Sequence, residues 1–313
     1  MHSHGPHGHA DGHHDHDHHH HNHDFSKVNL SFIVAVAANL GYTIVEAVYA
    51  VITNSASLLA DAGHNLSDVL GLLLAWGAAY LATLDPTWHF SYGYRRVTIL
   101  AALINAIVLI LAALYIAFES IEKLINPTPV SEVVIMIVAT IGIAVNAGSA
   151  WLFHAGSKED LNLKGAYLHL AYDALISVGV VIAAAAMYLT GWLWLDGLVG
   201  LVIVAVIVWG TWGLLKESLN LMMDAVPEHI DRNAVCSFLE DVDGVSEVHD
   251  LHIWAMSTNE TCLTAHLVMP ENTLWESEDG YNTIGRALKE QFQIHHVTLQ
   301  VEKDFDCVTQ DCD

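Results

Sequence analysis

The segment Leu59-Ala-Asp-Ala-Gly-His-Asn-Leu-Ser-Asp68 places ionisable side chains inside an otherwise apolar run. The run covers residues 57–84, which is long enough to cross a bilayer as an α-helix. Ionisable groups at bilayer depth cost about 2.5–3.5 kcal/mol each, so each one requires a reason. A second segment, His169-Leu-Ala-Tyr-Asp173, repeats the His-x-x-x-Asp spacing inside another apolar run. Together the two segments predict a membrane protein with a polar site in its interior.

Apolar runs of this length occur six times along the 313 residues. Hydrophobic residues make up 53% of the chain and charged residues 15%, against roughly 25% charged in a typical soluble protein. The alternative, a large soluble protein with six buried helices in succession, is disfavoured by this composition. We therefore predict an α-helical membrane protein with six transmembrane helices, at residues 28–52, 57–84, 97–118, 130–153, 166–189 and 193–215, the fifth starting near Leu161.

The repeated His-x-x-x-Asp spacing predicts a metal site within the membrane. Residues four apart lie on one face of a helix, so each helix offers one imidazole and one carboxylate. Two helices supply the four ligands of a tetrahedral zinc site. The predicted ligands are His64, Asp68, His169 and Asp173. Two alternatives stay open at this point: hydrogen bonds within each helix that only stabilise packing, and a proton relay without metal.

Other polar residues in the spans lie close to the predicted ligands or face neighbouring helices. Asp61 lies three residues before His64 and is either a proton carrier or outer partner of the site, or a cap near the end of its helix. Asn39 and Glu46 are seven residues apart and lie on one face of the first span. Lipid would not satisfy their hydrogen-bonding groups, so we expect them to face the transport pathway or to hydrogen-bond a neighbouring helix. Asp196 lies near the outer mouth, and there we expect it to be solvated.

The charge divides the chain into three parts. Residues 1–24 hold twelve His and four Asp, residues 25–216 have a net charge of −4, and residues 217–313 hold twenty acidic and four basic residues. The overall charge of −24 excludes a nucleic-acid-binding protein, which needs a basic surface.

The His-rich tail, residues 1–24, cannot bury a core and is predicted to be disordered. It lacks the basic start of a signal peptide. Its interspersed Gly and Asp distinguish it from the uniform runs of an expression tag, which is the alternative. Its imidazoles suit collection or buffering of metal on the cytoplasmic side.

Basic residues predict the orientation of the spans, since they are enriched in cytoplasmic loops. With a cytoplasmic N-terminus, the outer loops hold only Lys123. An even number of spans then places both termini in the cytoplasm. The basic residues on the cytoplasmic side are Lys27, Arg95, Arg96, Lys158, Lys164 and Lys216.

The C-terminal part, residues 217–304, has the composition of a soluble domain. Amphipathic and alternating patterns predict helices at 232–239 and 278–292 and strands at 246–255, 261–269 and 296–301. The order αββαβ in under 100 residues indicates a small α+β domain. Alternation along the first strand places Val248 with Asp250 on one face and His249 with Leu251 on the other.

Several metal-binding side chains lie in or near these strands. A single histidine in a strand is usually an ordinary surface residue. Here several histidines lie close together with acidic neighbours, and this cluster predicts a metal site. Its members are His249, His252, His266, His295, His296 and Glu302. All four cysteines lie in the C-terminal part, where a reducing cytosol makes them metal ligands or core residues. In the acidic end, residues 305–313, Cys307 and Cys312 suggest a metal clip, although the common short spacing is Cys-x-x-Cys.

The chain resembles the cation diffusion facilitators, in particular their zinc-transporting branch of bacterial exporters and vertebrate vesicular transporters. The resemblance covers nearly the whole chain after the tail. It rests on six spans, the paired His and Asp, the αββαβ order, and the strings Ser57-Leu-Leu-Ala-Asp-Ala-Gly-His64, His89-Phe-Ser-Tyr-Gly-Tyr-Arg-Arg96, His169-Leu-Ala-Tyr-Asp173 and Val248-His-Asp-Leu-His-Ile-Trp254.

The resemblance implies a homodimer in the lipid bilayer that exchanges cytoplasmic Zn²⁺ for external protons, and a ferredoxin-like cytoplasmic domain. It implies that Zn²⁺ is both the cargo and a regulatory ligand, and it suggests a bacterial inner membrane. By analogy with the vesicular transporters, the cytoplasmic ligands would be His249, His266, His295 and Glu302. Cys307 and Cys312 would form a second site, with a longer spacing than the family pattern.

Two other functions compete with transport. A membrane metalloenzyme would be expected to carry a motif such as His-Glu-x-x-His, which the sequence lacks. A metal sensor that uses its spans only as an anchor would not need paired ligands at mid-membrane. We therefore expect a Zn²⁺/H⁺ antiporter that exports zinc, with Cd²⁺, Co²⁺ or Ni²⁺ as possible further cargo.

Overall fold

The computed structural model describes residues 30–154, 161–270 and 280–303. Six of its helices are long and apolar enough to cross a membrane, as predicted. Two of them continue past the predicted ends at residues 118 and 215, to Ile125 and Met222. The helices are α1 (Leu30–Ile52), α2 (Ala56–Ala82), α3 (Val97–Ile125), α4 (Glu132–His154), α5 (Leu161–Thr190) and α6 (Trp194–Met222).

Small residues let the helices of the bundle approach closely. Helix α3 packs along α6, and α4 packs along α5. A Cβ atom on Gly197 of α6 would lie 2.5 Å from the carbonyl oxygen of Ser120 in α3, and one on Gly200 would lie 2.5 Å from the Ser120 hydroxyl. Glycine is therefore required at both positions, as is common where transmembrane helices touch.

Asp196 at the start of α6 is buried, so the expectation that it is solvated was wrong. Its carboxylate accepts hydrogen bonds of 2.6 Å from the hydroxyls of Ser55 and Ser57 and from the backbone N–H of Ala56. Lys123, assigned from the sequence to an outer loop, lies in the last turn of α3 with its Nζ 3.4 Å from Asp196 Oδ2. The carboxylate thus sits at the positive N-terminus of α2 and joins three helices.

The soluble part has the predicted αββαβ order. Its elements are α7 (Arg232–Glu240), β1 (Glu247–Ser257), β2 (Glu260–Val268), α8 (Gly280–Phe292) and β3 (Ile294–Glu302). The sheet order is β1-β2-β3, with β1 antiparallel and β3 parallel to β2. Both helices pack their apolar faces on the sheet, and the domain has a hydrophobic core of its own.

The soluble domain contacts the end of the bundle at which α3 begins. Arg95 Nη1 lies 2.5 Å from Glu260 Oε2, and Arg96 forms an ion pair with Asp224. The backbone N–H of Thr258 donates to the hydroxyl of Thr98 at 3.1 Å. These contacts define a domain side of the bundle, where α2 and α4 end and α3 and α5 begin, and a far side opposite it.

Candidate metal centres

The four predicted membrane ligands meet between α2 and α5. His64 Nε2 lies 3.3 Å from Asp173 Oδ1, and His169 Nε2 lies 3.2 Å from Asp68 Oδ2. The contacts within each helix are longer, at 3.8 Å for His64 with Asp68 and 3.5 Å for His169 with Asp173. Because the shorter contacts run between the helices, the geometry disfavours two separate His–Asp pairs that each stabilise their own helix.

Two carboxylate oxygens in this cluster lack a hydrogen-bond donor. Among the described residues, buried Asp68 Oδ2 and Asp173 Oδ1 receive no hydrogen bond, although imidazole nitrogens lie nearby. Buried polar atoms are normally satisfied, so such atoms need an explanation. Asp68, His169 and Asp173 offer ligand atoms that all lie within 4.8 Å of one another. A cation at the centre would satisfy both oxygens, and two nitrogens with two oxygens match the donors that zinc accepts.

A cavity of about 520 Å³ reaches this cluster from the domain side. Its wall comes from residues 35–43 of α1, the middle of α2 and the first half of α5, with Asn105 from α3 and Phe153 from α4. Asp68, His169 and Asp173 line it. The free space beside the ligands therefore lies in the half of the bundle on the domain side.

The polar residues of α1 bond to neighbouring helices, as predicted. Asn39 Nδ2 donates to the hydroxyl of Ser149 in α4 at 3.1 Å, and Asn39 also lines the cavity. Glu46 accepts from Asn65 Nδ2 of α2 at 3.1 Å. Asp61 is fully buried and accepts from the Ser177 hydroxyl of α5 at 2.9 Å. Since Ser55 is the N-cap of α2, the interpretation of Asp61 as a helix cap was wrong.

A second cluster lies on the sheet of the soluble domain. His249 and His266 face each other across β1 and β2, with ring centroids 5.0 Å apart. Glu302 at the end of β3 reaches both, with its Oε2 3.2 Å from His249 Nε2 and its Oε1 3.1 Å from His266 Nδ1. One residue from each strand thus forms a group that could hold a metal ion.

The alternation predicted for β1 was wrong at one point. Val248 and Leu251, predicted on opposite faces, pack in the same core. The pairing of β1 with β2 shifts between residues 249 and 252, and Asp250 has a positive φ of 51°, so a β-bulge inserts one residue. The bulge places Asp250 beside the cluster, with its Oδ2 3.4 Å from His266 Nε2.

Within one chain, the structure does not bring His295 to this cluster, so its part in the cytoplasmic metal site stays a prediction. His295 lies at the start of β3 and Glu302 at its end, and an extended strand separates them. The Nδ1 atom of His295 accepts from the backbone N–H of Thr261 at 3.4 Å. Cys307, Cys312 and the His-rich tail lie outside the described residues.

The two described cysteines do not join either cluster. Burial raises the pKa of the Cys262 thiol, and nearby Glu260 adds to the effect. Burial and Glu240 likewise raise the pKa of Cys236. Both thiols therefore stay protonated at neutral pH, and Cys262 is a core residue of the sheet.

Comparison with known families agrees with this architecture. Residues 32–223 match the cation efflux transmembrane domain, which is more than half of the chain. The chain belongs to the cation efflux family. Residues 227–304 match the cytoplasmic domain of cation efflux proteins, a dimerisation domain. Members of this family are transporters, so the protein is a multi-pass membrane transporter and not a membrane metalloenzyme.

Relatives in this family are metal transporters by name. The chain is 38% identical over 267 residues to the cadmium, cobalt and zinc/H(+)-K(+) antiporter of Bacillus subtilis (strain 168), covering 84% of this chain and 86% of that protein. It is 35% identical to the metal cation efflux system protein CzcD of Cupriavidus metallidurans, with 86% and 85% covered. It is 34% identical to the zinc transporter ZitB of Escherichia coli (strain K12), with 84% and 83% covered.

Sequence reasoning missed some residues around the membrane cluster of this cation efflux protein. Ser177, which bonds Asp61, lies four residues after Asp173 and therefore on the same face of α5. Asn65, which bonds Glu46, directly follows His64. Helical spacing from the predicted ligands could have found Ser177, whereas the partner of Asn65 comes from another helix and has no local signal.

Proposed function

We propose that this protein exports Zn²⁺ from the cytoplasm in exchange for protons, with His64, Asp68, His169 and Asp173 as the transport site. The observation that supports it is the meeting of these four side chains between α2 and α5, where Asp68, His169 and Asp173 line the cavity. The names of the relatives agree with a zinc, cadmium or cobalt cargo and with a proton counter-ion.

Competition between metal and protons couples the two fluxes. Imidazole and carboxylate bind a metal ion only in their deprotonated forms, so protons and metal exclude each other at this site. At cytoplasmic pH the open cavity lets Zn²⁺ reach the four ligands. When the site opens to the far side, protons bind to the same atoms and release the metal. Alternating access of the two sides completes the cycle.

Three further features belong to this proposal. The protein works as a homodimer, which the matched dimerisation domain supports. Both termini lie in the cytoplasm, and the host membrane is a bacterial inner membrane, as for a bacterial exporter. The His-rich tail buffers zinc near the cavity, and Cys307 with Cys312 stays a predicted second metal clip.

Everted membrane vesicles test the direction of transport. Vesicles turned inside out from cells that make this protein should accumulate radioactive zinc when their lumen is acidic. Right-side-out vesicles from the same cells should not accumulate it. Equal accumulation in both preparations, or in vesicles that lack the protein, would contradict zinc export.

The variant His64→Asp is expected to widen the range of transported metals toward Cd²⁺ or Mn²⁺. A third carboxylate replaces a borderline nitrogen ligand with a hard oxygen and relaxes the tetrahedral preference. Uptake of each metal into vesicles gives the ratio of zinc to cadmium transport. The control His89→Asp makes the same change in an exposed loop and should keep the wild-type ratio. An unchanged ratio in His64→Asp would count against a direct role for His64.

Zinc bound by His249, His266 and Glu302 is expected to stabilise the soluble domain against unfolding. The fragment of residues 219–313 contains a complete core and carries a large excess of acidic residues, so a bound cation also reduces charge repulsion. Zinc at a hundred times its dissociation constant should stabilise the fold by about 2.7 kcal/mol and raise Tm by roughly 10 °C or more.

Paired variants separate the cluster from general charge effects. His249→Ala with His266→Ala should remove most of the zinc-induced rise in Tm. His295→Ala should keep it, because His295 lies at the other end of β3. Mg²⁺ at equal ionic strength controls for screening. A full rise in the double variant, or an equal rise with Mg²⁺, would show that these histidines are surface residues.

A further inference from the structure

Two carboxyl groups lie in contact inside the bundle, apart from the metal ligands. Glu46 of α1 and Asp61 of α2 both have an exposed fraction of 0%. Their carboxyl groups lie within hydrogen-bonding distance of each other. Such a contact requires a proton, because two ionised carboxylates have only acceptors to offer.

The surrounding donors do not supply that proton. Glu46 accepts from the Tyr42 hydroxyl at 2.6 Å and from Asn65 Nδ2 at 3.1 Å, so each of its oxygens has one donor from outside the pair. Asp61 Oδ2 accepts from Ser177. In the described part of the chain, Asp61 Oδ1 is buried and receives no hydrogen bond. A proton held between the two carboxyl groups explains this buried oxygen.

The charges around the pair also require a proton. The titratable groups that face it are Tyr42 from α1, His64 from α2 and Asp173 from α5. His64 already faces the carboxylates of Asp68 and Asp173. From α4 the neighbour of Tyr42 is Gly142, where a Cβ atom would lie 2.2 Å from the Tyr42 hydroxyl oxygen. Two negative charges in contact, away from water, cannot both persist without a cation.

The position of the pair suits a counter-ion that enters from the far side. Glu46 lies in the last two turns of α1, and Asp61 lies in the first two turns of α2. Asp61 is therefore farther from the domain side than His64 and Asp68 on the same helix, and neither Glu46 nor Asp61 lines the cavity on that side. Asp61 precedes His64 by about one turn, so a dication at the metal site is close enough to act on the pair.

We propose that the Glu46–Asp61 pair is a second proton site of the transporter, separate from the metal ligands and on their far side. It rests on the proposed exchange of zinc for protons. A bound dication favours the doubly ionised pair, so metal binding releases one proton from it. Departure of the metal leaves two uncompensated charges, and the pair then takes up a proton from the far side. Each zinc ion is thereby exchanged for one proton more than the metal ligands alone would carry.

Infrared spectroscopy of the purified full-length protein tests the pair directly. The metal-free protein should show the carbonyl band of a protonated, buried carboxylic acid, and this band should disappear when Zn²⁺ is added. Glu46→Gln and Asp61→Asn each remove one of the two carboxyl groups and should alter or abolish the band. Glu122→Gln makes the same change at an exposed position of α3 and should leave the band unchanged.

Calorimetry in buffers of different ionisation enthalpy counts the protons that zinc displaces. Binding to Glu46→Gln should release about one proton fewer per zinc than binding to the wild type, while zinc still binds. A wild-type band that persists in both pair variants, or an equal proton count in Glu46→Gln and wild type, would overturn the proposal. Loss of the band on addition of K⁺ alone would also overturn it, since the pair would then be a monovalent-cation site.

These outcomes are separate from those for the transport site. If Asp173→Ala stops zinc binding while the infrared band of the pair stays, the metal site is supported. The same result shows that the protonated Glu46–Asp61 pair does not depend on the metal ligands. If zinc transport proves absent from the wild type, the band still reports whether the two carboxyl groups hold a proton.

Discussion

Replacing Asp173 with alanine is expected to abolish zinc transport while the protein stays folded. Asp173 is the most buried of the four predicted ligands, and it contacts the imidazoles of both His64 and His169. Loss of an outer partner of a metal ligand already costs about 10–100-fold in affinity, so loss of a ligand should cost more than about 100-fold. Zinc flux into vesicles that contain the purified variant measures the effect.

The matched control for this variant is Asp85→Ala. Asp85 lies in the exposed loop between α2 and α3, so its loss removes the same group without touching the site. Asp68→Ala should behave like Asp173→Ala, because it removes the other carboxylate. Gel filtration and thermal melting check that each variant is folded. Wild-type flux in Asp173→Ala would end the assignment of the transport site.

Replacing Asp196 with asparagine is expected to destabilise the bundle by about 3–5 kcal/mol, the cost of breaking a buried ion pair from one side. Lys123 would keep its charge without a buried partner, and the N-terminus of α2 would lose an anionic acceptor. Thermal melting in detergent should show a clear fall in Tm.

A double variant separates the ion pair from other effects at this position. Adding Lys123→Met to Asp196→Asn removes the unpaired charge, so the double variant should be more stable than the single one. If the double variant melts below the single variant, or if Asp196→Asn melts like the wild type, the ion pair does not stabilise the junction of α2, α3 and α6.

The sequence was sufficient for the six helices and for selecting His64, Asp68, His169 and Asp173 as candidate ligands, because both have a local signal. Apolar length predicts a span, and a spacing of four places His64 and Asp68 on one helix face and His169 and Asp173 on another. The shorter contacts, which run between the two helices, come from the packing of α2 against α5. The order of elements in the soluble domain followed from periodicity in the same way.

The errors share a different cause, which is that they depend on contacts between distant segments. Asp196 is buried because Ser55, Ser57 and Lys123 come to it from other elements. The bulge at Asp250 arises in the pairing of two strands.

The central claim, that zinc moves in exchange for protons, is tested most directly by flux in proteoliposomes. The purified wild-type protein is placed in vesicles with an acidic lumen and with K⁺ equal on both sides, and zinc and lumenal pH are followed together. Zinc should accumulate in the lumen, lumenal pH should rise as it does so, and a protonophore should abolish the accumulation. Zinc uptake that is the same with and without the pH gradient, with no movement of protons, would contradict it.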